Sequence, residues 1–368
     1  MKIPFVDLAA QYRSIKPEVQ AAVNGVLDRC DFILGNDVAA FEKEFGAWAG
    51  APHVVSCANG TDALVLALKA CGVGPGDEVI TTPYTWISTV LAISLAGAKP
   101  VFADIDPATY NIDPNLISKR VTRRTKAILP VHLYGQSAAM DGIADVAKKH
   151  KLLIIEDAAQ SHGSYWRGMR VGQTGTATCY SFYPGKNIGA YGDAGAVTTP
   201  DPKIARALRL LRNMGQEMKH KHEVIGTNSR LDSIQAAVLR VKLKHLEAWT
   251  EARRKAAQRY HRMLKDVTNA VAPKEADGVR HVFHVYAVQV PRRDAVAKRL
   301  NEEGVSAQVH YPTPVHLQPC YKSLGWKKGS FPVAEKVCSR ILSLPMYPEI
   351  TEAQQAYVVD RLKAALAR

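Results

Sequence analysis

The sequence predicts an α/β protein, with a large, mostly parallel sheet covered by helices on both faces, followed by a smaller α+β unit. Three observations carry this expectation. The chain has 368 residues, 47% of them hydrophobic and 22% charged, enough for two or three cores. Between residues 53 and 199 short, β-branched apolar runs alternate with amphipathic stretches, which is the pattern of βαβ units. Over residues 232–265 the apolar positions Ile234, Val238, Val241, Trp249, Ala256, Tyr260 and Met263 recur near three, four or seven, giving a helix long enough to join two units.

The strands expected for the sheet are HVVS, EVITT, PVFAD, KAILPVH, KLLIIED, ATCYSFY and AGAVTT. Beyond the long helix, residues 280–290 read as a strand, 294–303 as a helix and VSAQVHY as another strand. A Pro-rich run through Pro319, a polar turn at 325–329 and a helix at 333–342 follow. Residues 1–250 are therefore assigned to the large unit and 251–368 to the small one, with the N-terminal segment packing beside the latter.

Composition removes several classes. With 25 Gly and 20 Pro and no repeat, the chain is neither collagen-like nor disordered. Its six cysteines, Cys30, Cys57, Cys71, Cys179, Cys320 and Cys338, form no C-x-x-C pair and no Cys/His cluster at zinc spacing, so free thiols in a reducing cytoplasm and no metal are expected. MKIPFVDLAAQY reaches Pro4 and Asp7 before any signal-length apolar run, and no run approaches a membrane span. The net charge of +14 points to an anionic partner of unspecified kind.

Ligands of open parallel sheets bind beyond the carboxyl ends of the strands, and four such ends carry unusual residues. After HVVSC, the turn Ala58, Asn59, Gly60, Thr61, Asp62 opens a helix, and its free backbone N–H groups suit a phosphate; a plain N-cap is the ordinary alternative. In TTPYTWIST, Trp86 can lie against a flat ligand or belong to the core. KLLIIEDAAQSHG runs an apolar strand into Glu156, Asp157 and Gln160, and an ionised carboxylate there needs a partner such as a cationic ring nitrogen or an arginine. TCYSFYPGKNIGAYGDAGAV places Ser181 in a strand and Lys186 after a Pro184-Gly185 turn, with Gly189, Gly192 and Gly195 allowing close backbone approach. A lysine confined among few charges has the lowered pKa that an amine nucleophile needs.

In this order, these motifs resemble the pyridoxal-phosphate aminotransferases of fold type I, in particular the DegT/DnrJ/EryC1/StrS family of sugar aminotransferases. The resemblance runs from IPFVDLAAQY through NGTDAL, EDAAQSHG, SFYPGKNIGAYGDAGA and GTNSRLD to HYPTPVHLQP and LSLPMYP. It implies that Lys186 is the lysine bonded to pyridoxal 5'-phosphate and that Asp157 pairs with the pyridine nitrogen. It further implies that Trp86 stacks on the ring, that Gln160 lies near the phenolic oxygen, and that Gly60, Thr61 and Ser181 cradle the phosphate. Asn228 matches a phosphate ligand from the other subunit of a homodimer with shared active sites. Arg230, His310 and Tyr311 are the substrate-side candidates, and His162 a possible wall of the pocket.

The implied reaction moves an amino group from an amino acid, L-glutamate by resemblance, to a nucleotide-linked 3-keto sugar with ping-pong kinetics. A 4-keto sugar or keto-cyclitol acceptor remains open. A lysine at 186, where some relatives carry histidine and act as dehydratases, favours transamination. The run GVGPGDEV follows a helix and precedes a strand, the reverse of a dinucleotide fingerprint. A DNA-binding regulator is a distant reading, since no compact helix-turn-helix or aromatic-basic surface is present. Residues 201–265 hold 16 Lys and Arg against six Asp and Glu, a stretch expected to face solvent mostly while bordering a phosphorylated metabolite.

Overall fold

The computed structural model describes residues 1–367. Seven strands form one sheet in the spatial order His53–Cys57, Gly195–Thr199, Ala177–Ser181, Leu153–Asp157, Thr125–Ile128, Glu78–Thr81, Lys99–Phe102. Every ladder is parallel except the two that Gly195–Thr199 makes with its neighbours. The inner strands are buried on both faces, which is why they read as continuous apolar runs. Pleating sends successive side chains to opposite sides. Cys179 and Val197 join Leu64, Leu68 and Ile93 on one face, while Tyr180 and Ala196 join Phe41, Phe45 and Leu239 on the other.

A C-terminal core is built around an antiparallel pair, Tyr286–Gln289 with Ile341–Leu344. Helices Arg293–Glu302 and Glu352–Leu366 and the last turns of Ser233–Leu264 cover it. Ile3 belongs to the same core: its N–H donates to the Gly304 carbonyl at 2.8 Å, and it bridges to Val305. Helix Ser233–Leu264 passes through position 250 without interruption. It gives Ala236, Leu239 and Leu246 to the sheet core and Ala256, Tyr260 and Leu264 to the C-terminal core.

Several local expectations are corrected. VSAQVHY forms no ladder, because Val305 pairs with Ile3 and Gln308 with Ser343, so the segment changes partner after a single bridge each time. The expected 280–290 strand is split: Val279–Arg280 pairs with Tyr165–Trp166, and only Tyr286–Gln289 enters the C-terminal pair. The 333–342 helix spans Pro332–Arg340, and the apolar residues after it turn into the buried strand Ile341–Leu344. The basic stretch mostly faces solvent, as expected, with exceptions. Arg212 pairs with Glu42, Arg240 with Asp37 and Glu44, and Arg254 with Glu275, while Lys242 and Arg253 are buried. No helix among the described residues is long and apolar enough to cross a membrane.

Helix Asn36–Ala49 locks onto the sheet through Phe45, which is fully buried with ring centroids 5.1 Å from Tyr180 and 5.3 Å from Phe182. Truncating a buried phenylalanine removes its transfer energy and leaves a cavity. Phe45→Ala is expected to cost about 3–5 kcal/mol, read as a lowered denaturant midpoint with an unchanged slope.

Candidate active site

The sheet register brings the sequence candidates to one edge. Cys57 and Ser181 both pair with Gly195, so the ends of His53–Cys57 and Ala177–Ser181 flank the start of the antiparallel strand. Helix Gly60–Ala70 begins just beyond, capped by Asn59, whose side chain accepts from the Asp62 N–H at 2.9 Å. The backbones are packed as closely as glycine permits. A Cβ on Gly60 would fall 2.5 Å from the Ser181 Cβ, and one on Gly195 only 2.3 Å from the Asn59 carbonyl oxygen. Thr61 Oγ1 donates to Ser88 Oγ at 2.9 Å, placing a hydroxyl pair beside the same helix start. The cradle is thus small, hydroxyl-lined and open at the positive end of a helix, which fits a phosphate.

Asp157 ends the strand Leu153–Asp157 and is buried. Thr89 Oγ1 donates to its Oδ2 at 2.8 Å and the Ala159 N–H to its Oδ1 at 3.1 Å. Burial pushes this carboxyl above its ordinary range, opposed by those two hydrogen bonds and by the Lys186 ammonium. The adjacent Glu156 points to the other side of the strand. It faces His132 Nε2 at 2.8 Å, with both side chains fully buried, and also accepts from the Gly175 N–H at 2.7 Å. His132 Nδ1 accepts from the Ala138 N–H, so the ring is neutral and its proton sits on Nε2, toward Glu156. Of the two acids at this strand end, only Asp157 is left facing the site.

Lys186 sits on the turn after Ala177–Ser181, its N–H donating to the Tyr183 carbonyl at 2.9 Å. Burial brings its amine down to about 8, against the opposing pull of Asp157. The histidines around it are kept uncharged. Burial, then the Lys186 charge, lowers His162 to about 3 and His310 to about 4, and holds His284 well below its usual value. Lys186 and Asp157 therefore stand among neutral rings.

The remaining candidates form two groups. Gln160 Oε1 accepts from the Tyr134 N–H at 2.7 Å, which fixes its amide and turns Nε2 toward Tyr311, whose hydroxyl accepts at 3.0 Å. The second Nε2 hydrogen remains free for a ligand. Tyr311 lies 5.7 Å, centroid to centroid, from Trp86, which is 57% exposed and so presents an indole face to a planar molecule. His310 is held by Ser343 Oγ at 2.9 Å, and its carbonyl accepts from both Tyr84 and Tyr134 hydroxyls. Asn228 and Arg230 lie apart from this group. Asn228 is exposed and bridges to Asn213, while Arg230 donates to the Asn213 side chain at 3.2 Å.

Between Asn228 and Arg230, the buried Ser229 ties the segment to the phosphate turn, donating to Asp62 Oδ2 at 2.6 Å and accepting from the Ala58 N–H at 3.2 Å. Ser229, Thr89, Tyr134 and His284 were not singled out from sequence. Their contacts join positions far apart in the chain, and a lone Ser, Thr, Tyr or His carries no spacing signal. Among the described residues no group of three or more His, Cys, Asp or Glu is arranged to hold a metal.

Two outcomes follow from this geometry. Gly195→Ala is expected to push Asn59 and Gly60 out of line and abolish phosphate-ester binding, read by calorimetry with pyridoxal phosphate. In the protein without cofactor, labelling of Lys186 by an amine-reactive reagent is expected to rise through pH 8, because the amine loses its proton there rather than near 10.5. Peptide mass spectrometry across pH 6–10 reads it.

A pleiotropic regulatory protein of Geobacillus stearothermophilus is 50% identical over 364 residues, 98% of each chain. The dTDP-3-amino-3,4,6-trideoxy-alpha-D-glucose transaminase of Streptomyces venezuelae is 43% identical over 98% of this chain and 96% of its own. The crystal structure of S. venezuelae DesV in complex with a ketimine intermediate superposes with a TM-score of 0.97 at 43% identity, covering 100% of this chain and 99% of that one. The model of the DegT/DnrJ/EryC1/StrS aminotransferase family matches residues 13–363, and the chain belongs to that family.

Proposed function

We propose that this protein is a pyridoxal-phosphate-dependent aminotransferase that moves nitrogen from an amino acid, L-glutamate, to a nucleotide-linked 3-keto sugar. The observation that carries the reading is the nearness of an amine lowered to about 8, Lys186, to a buried carboxylate, Asp157, beside the hydroxyl-bearing start of helix Gly60–Ala70. The transaminase relative names a 3-amino sugar, which supports C3 as the position aminated. The other relative carries a regulatory name, yet a regulator has no use for a buried lysine and carboxylate set among neutral histidines.

When bound, pyridoxal phosphate supplies an aldehyde carbon for Lys186 and a ring that withdraws electrons from the substrate carbon. The chain's own residues do the rest. Asp157 would pair with the ring nitrogen and favour its protonated form. Gly60, Thr61 and Ser181 would hold the phosphate, Trp86 would stack on the ring, and Gln160 would lie near the phenolic oxygen. Lys186 Nζ would be the group that takes a proton from the nitrogen-bearing carbon of the substrate and gives one back, acting as base and then as acid. The neutral His310, with Tyr311, lines the substrate side without competing for that proton.

A second copy completes the site. Ile225 is 99% exposed, and Phe32, Ile33, Met218 and Tyr183 are exposed as well, which supports burial of apolar side chains against a second copy. Asn228 and Arg230 then reach the phosphate and the anionic substrate of the neighbouring protomer. The division into units 1–250 and 251–368 and a cytoplasmic location, where the six free cysteines persist, belong to the same reading.

Borohydride treatment of the yellow protein is expected to fix cofactor mass on the peptide containing Lys186, and Lys186→Ala is expected to lose transamination entirely. Glutamate with a panel of dTDP- and UDP-linked 3-keto and 4-keto sugars identifies the acceptor by recovery of the aldehyde-form absorbance. Turnover with a keto-cyclitol and none with any nucleotide sugar would refute the acceptor class.

A further inference from the structure

Lys242 has no exposed surface. Its Nζ donates to the Gly189 carbonyl at 2.7 Å and lies 4.2 Å from the centre of the Tyr191 ring. No carboxylate among the described residues compensates it, and burial alone brings its amine down to about 7. An ammonium buried without a counter-ion is costly, and an apolar residue would fill the same space at less expense. A buried lysine at this cost calls for a function, and its single acceptor indicates one.

Gly189 closes the loop that carries Lys186. The Lys186 N–H donates to the Tyr183 carbonyl and the Ala190 N–H to the Phe182 carbonyl, so the chain reverses between residues 182 and 190. At the reversal a Cβ on Gly189 would come 2.4 Å from the Pro184 carbonyl oxygen and 2.6 Å from that of Tyr183. A pull on the Gly189 carbonyl therefore acts on the strands of the loop on both sides of Lys186. Gln235 holds the next stretch, accepting from the Tyr191 N–H at 2.8 Å. Gln235 and Lys242 are seven residues apart in helix Ser233–Leu264, two turns along one face. The same helix continues into the C-terminal core through Ala256, Tyr260 and Leu264.

We propose that Lys242 is a positioning residue for Lys186: with Gln235 it latches the 182–191 loop to the long helix and fixes where the reactive amine sits over the cofactor cradle. The inference rests on the reading of Lys186 as the cofactor-bearing lysine. A displacement of about 1 Å at a reacting group costs up to about a hundredfold, so a latch on this loop has a measurable consequence.

The test uses full-length protein reconstituted with pyridoxal phosphate, comparing the parent with Lys242→Met, Lys242→Gln and Gln235→Met. Three quantities are read: the pH midpoint of the bound cofactor's visible absorbance, the dissociation constant for pyridoxal phosphate, and the thermal midpoint. Lys242→Met is expected to move the absorbance midpoint by about one pH unit and to weaken cofactor binding about tenfold. Lys242→Gln keeps an N–H donor for Gly189 and is expected to recover to within about threefold of the parent. Gln235→Met, at a partly buried position, is expected to shift both in the same direction by less, and it carries the test if Lys242→Met does not fold. Absorbance midpoint and affinity equal to the parent's in Lys242→Met and Gln235→Met overturn the proposal, even if the thermal midpoint falls, because a merely structural lysine gives that result. Borohydride trapping of the cofactor on a peptide other than that of Lys186 in the parent would instead sink the underlying reading, and no variant is needed to see it.

Discussion

The arrangement depends on one constraint: Asp157 is a carboxylate buried at the end of a parallel strand with only two hydrogen bonds to hold it. An acid in that position either takes up a proton or faces a cation. Much of the local architecture serves the second outcome. Thr89, on the helix that follows Trp86, and the Ala159 N–H favour the ionised form, and Lys186 stands on the next turn of the sheet edge. Turning the strand's other acid away, onto His132 and the Gly175 N–H, leaves Asp157 as the one acid of this strand end that faces the ligand.

The electrostatic design of the pocket follows from the same burial. Dry surroundings lower Lys186 to about 8 and strip the charge from His162, His284 and His310. An amine so lowered is partly unprotonated near neutral pH, with no imidazolium close by. The glycines at 60 and 195 contribute through what they lack, since side chains there would collide with Ser181 and with the Asn59 backbone at the helix start. Long-range order comes from helix Ser233–Leu264, which joins the sheet core, the Lys186 loop and the C-terminal core in one rigid element.

Much of this was legible in the sequence, for identifiable reasons. Strands buried on both faces show as continuous apolar runs, so the sheet and the strand-end positions of Asp157 and Ser181 could be read directly. Gly60 and Lys186 stood out because glycine turns and confined lysines are uncommon at strand ends. Local pattern failed where tertiary pairing decides the state. VSAQVHY alternates like a strand, yet Val305 and Gln308 bridge to different partners; Ile341–Leu344 continues a helical pattern but is captured by Tyr286–Gln289. The supporting residues Thr89, Tyr134 and Ser229 act across 68, 26 and 167 residues of sequence, and no spacing rule reaches so far. Charge counting misled in part, because Arg212, Arg240 and Arg254 turn to carboxylates of the same chain.

The central claim is that Asp157 holds a proton on the ring nitrogen of the cofactor. Nitrogen-15 NMR of the protein loaded with pyridoxal phosphate labelled at that nitrogen tests it most directly, in the parent and in Asp157→Asn. A protonated pyridinium shift at neutral pH in the parent, lost in the variant, is the predicted result. An unprotonated ring in the parent, or the same shift in both proteins, would contradict the account.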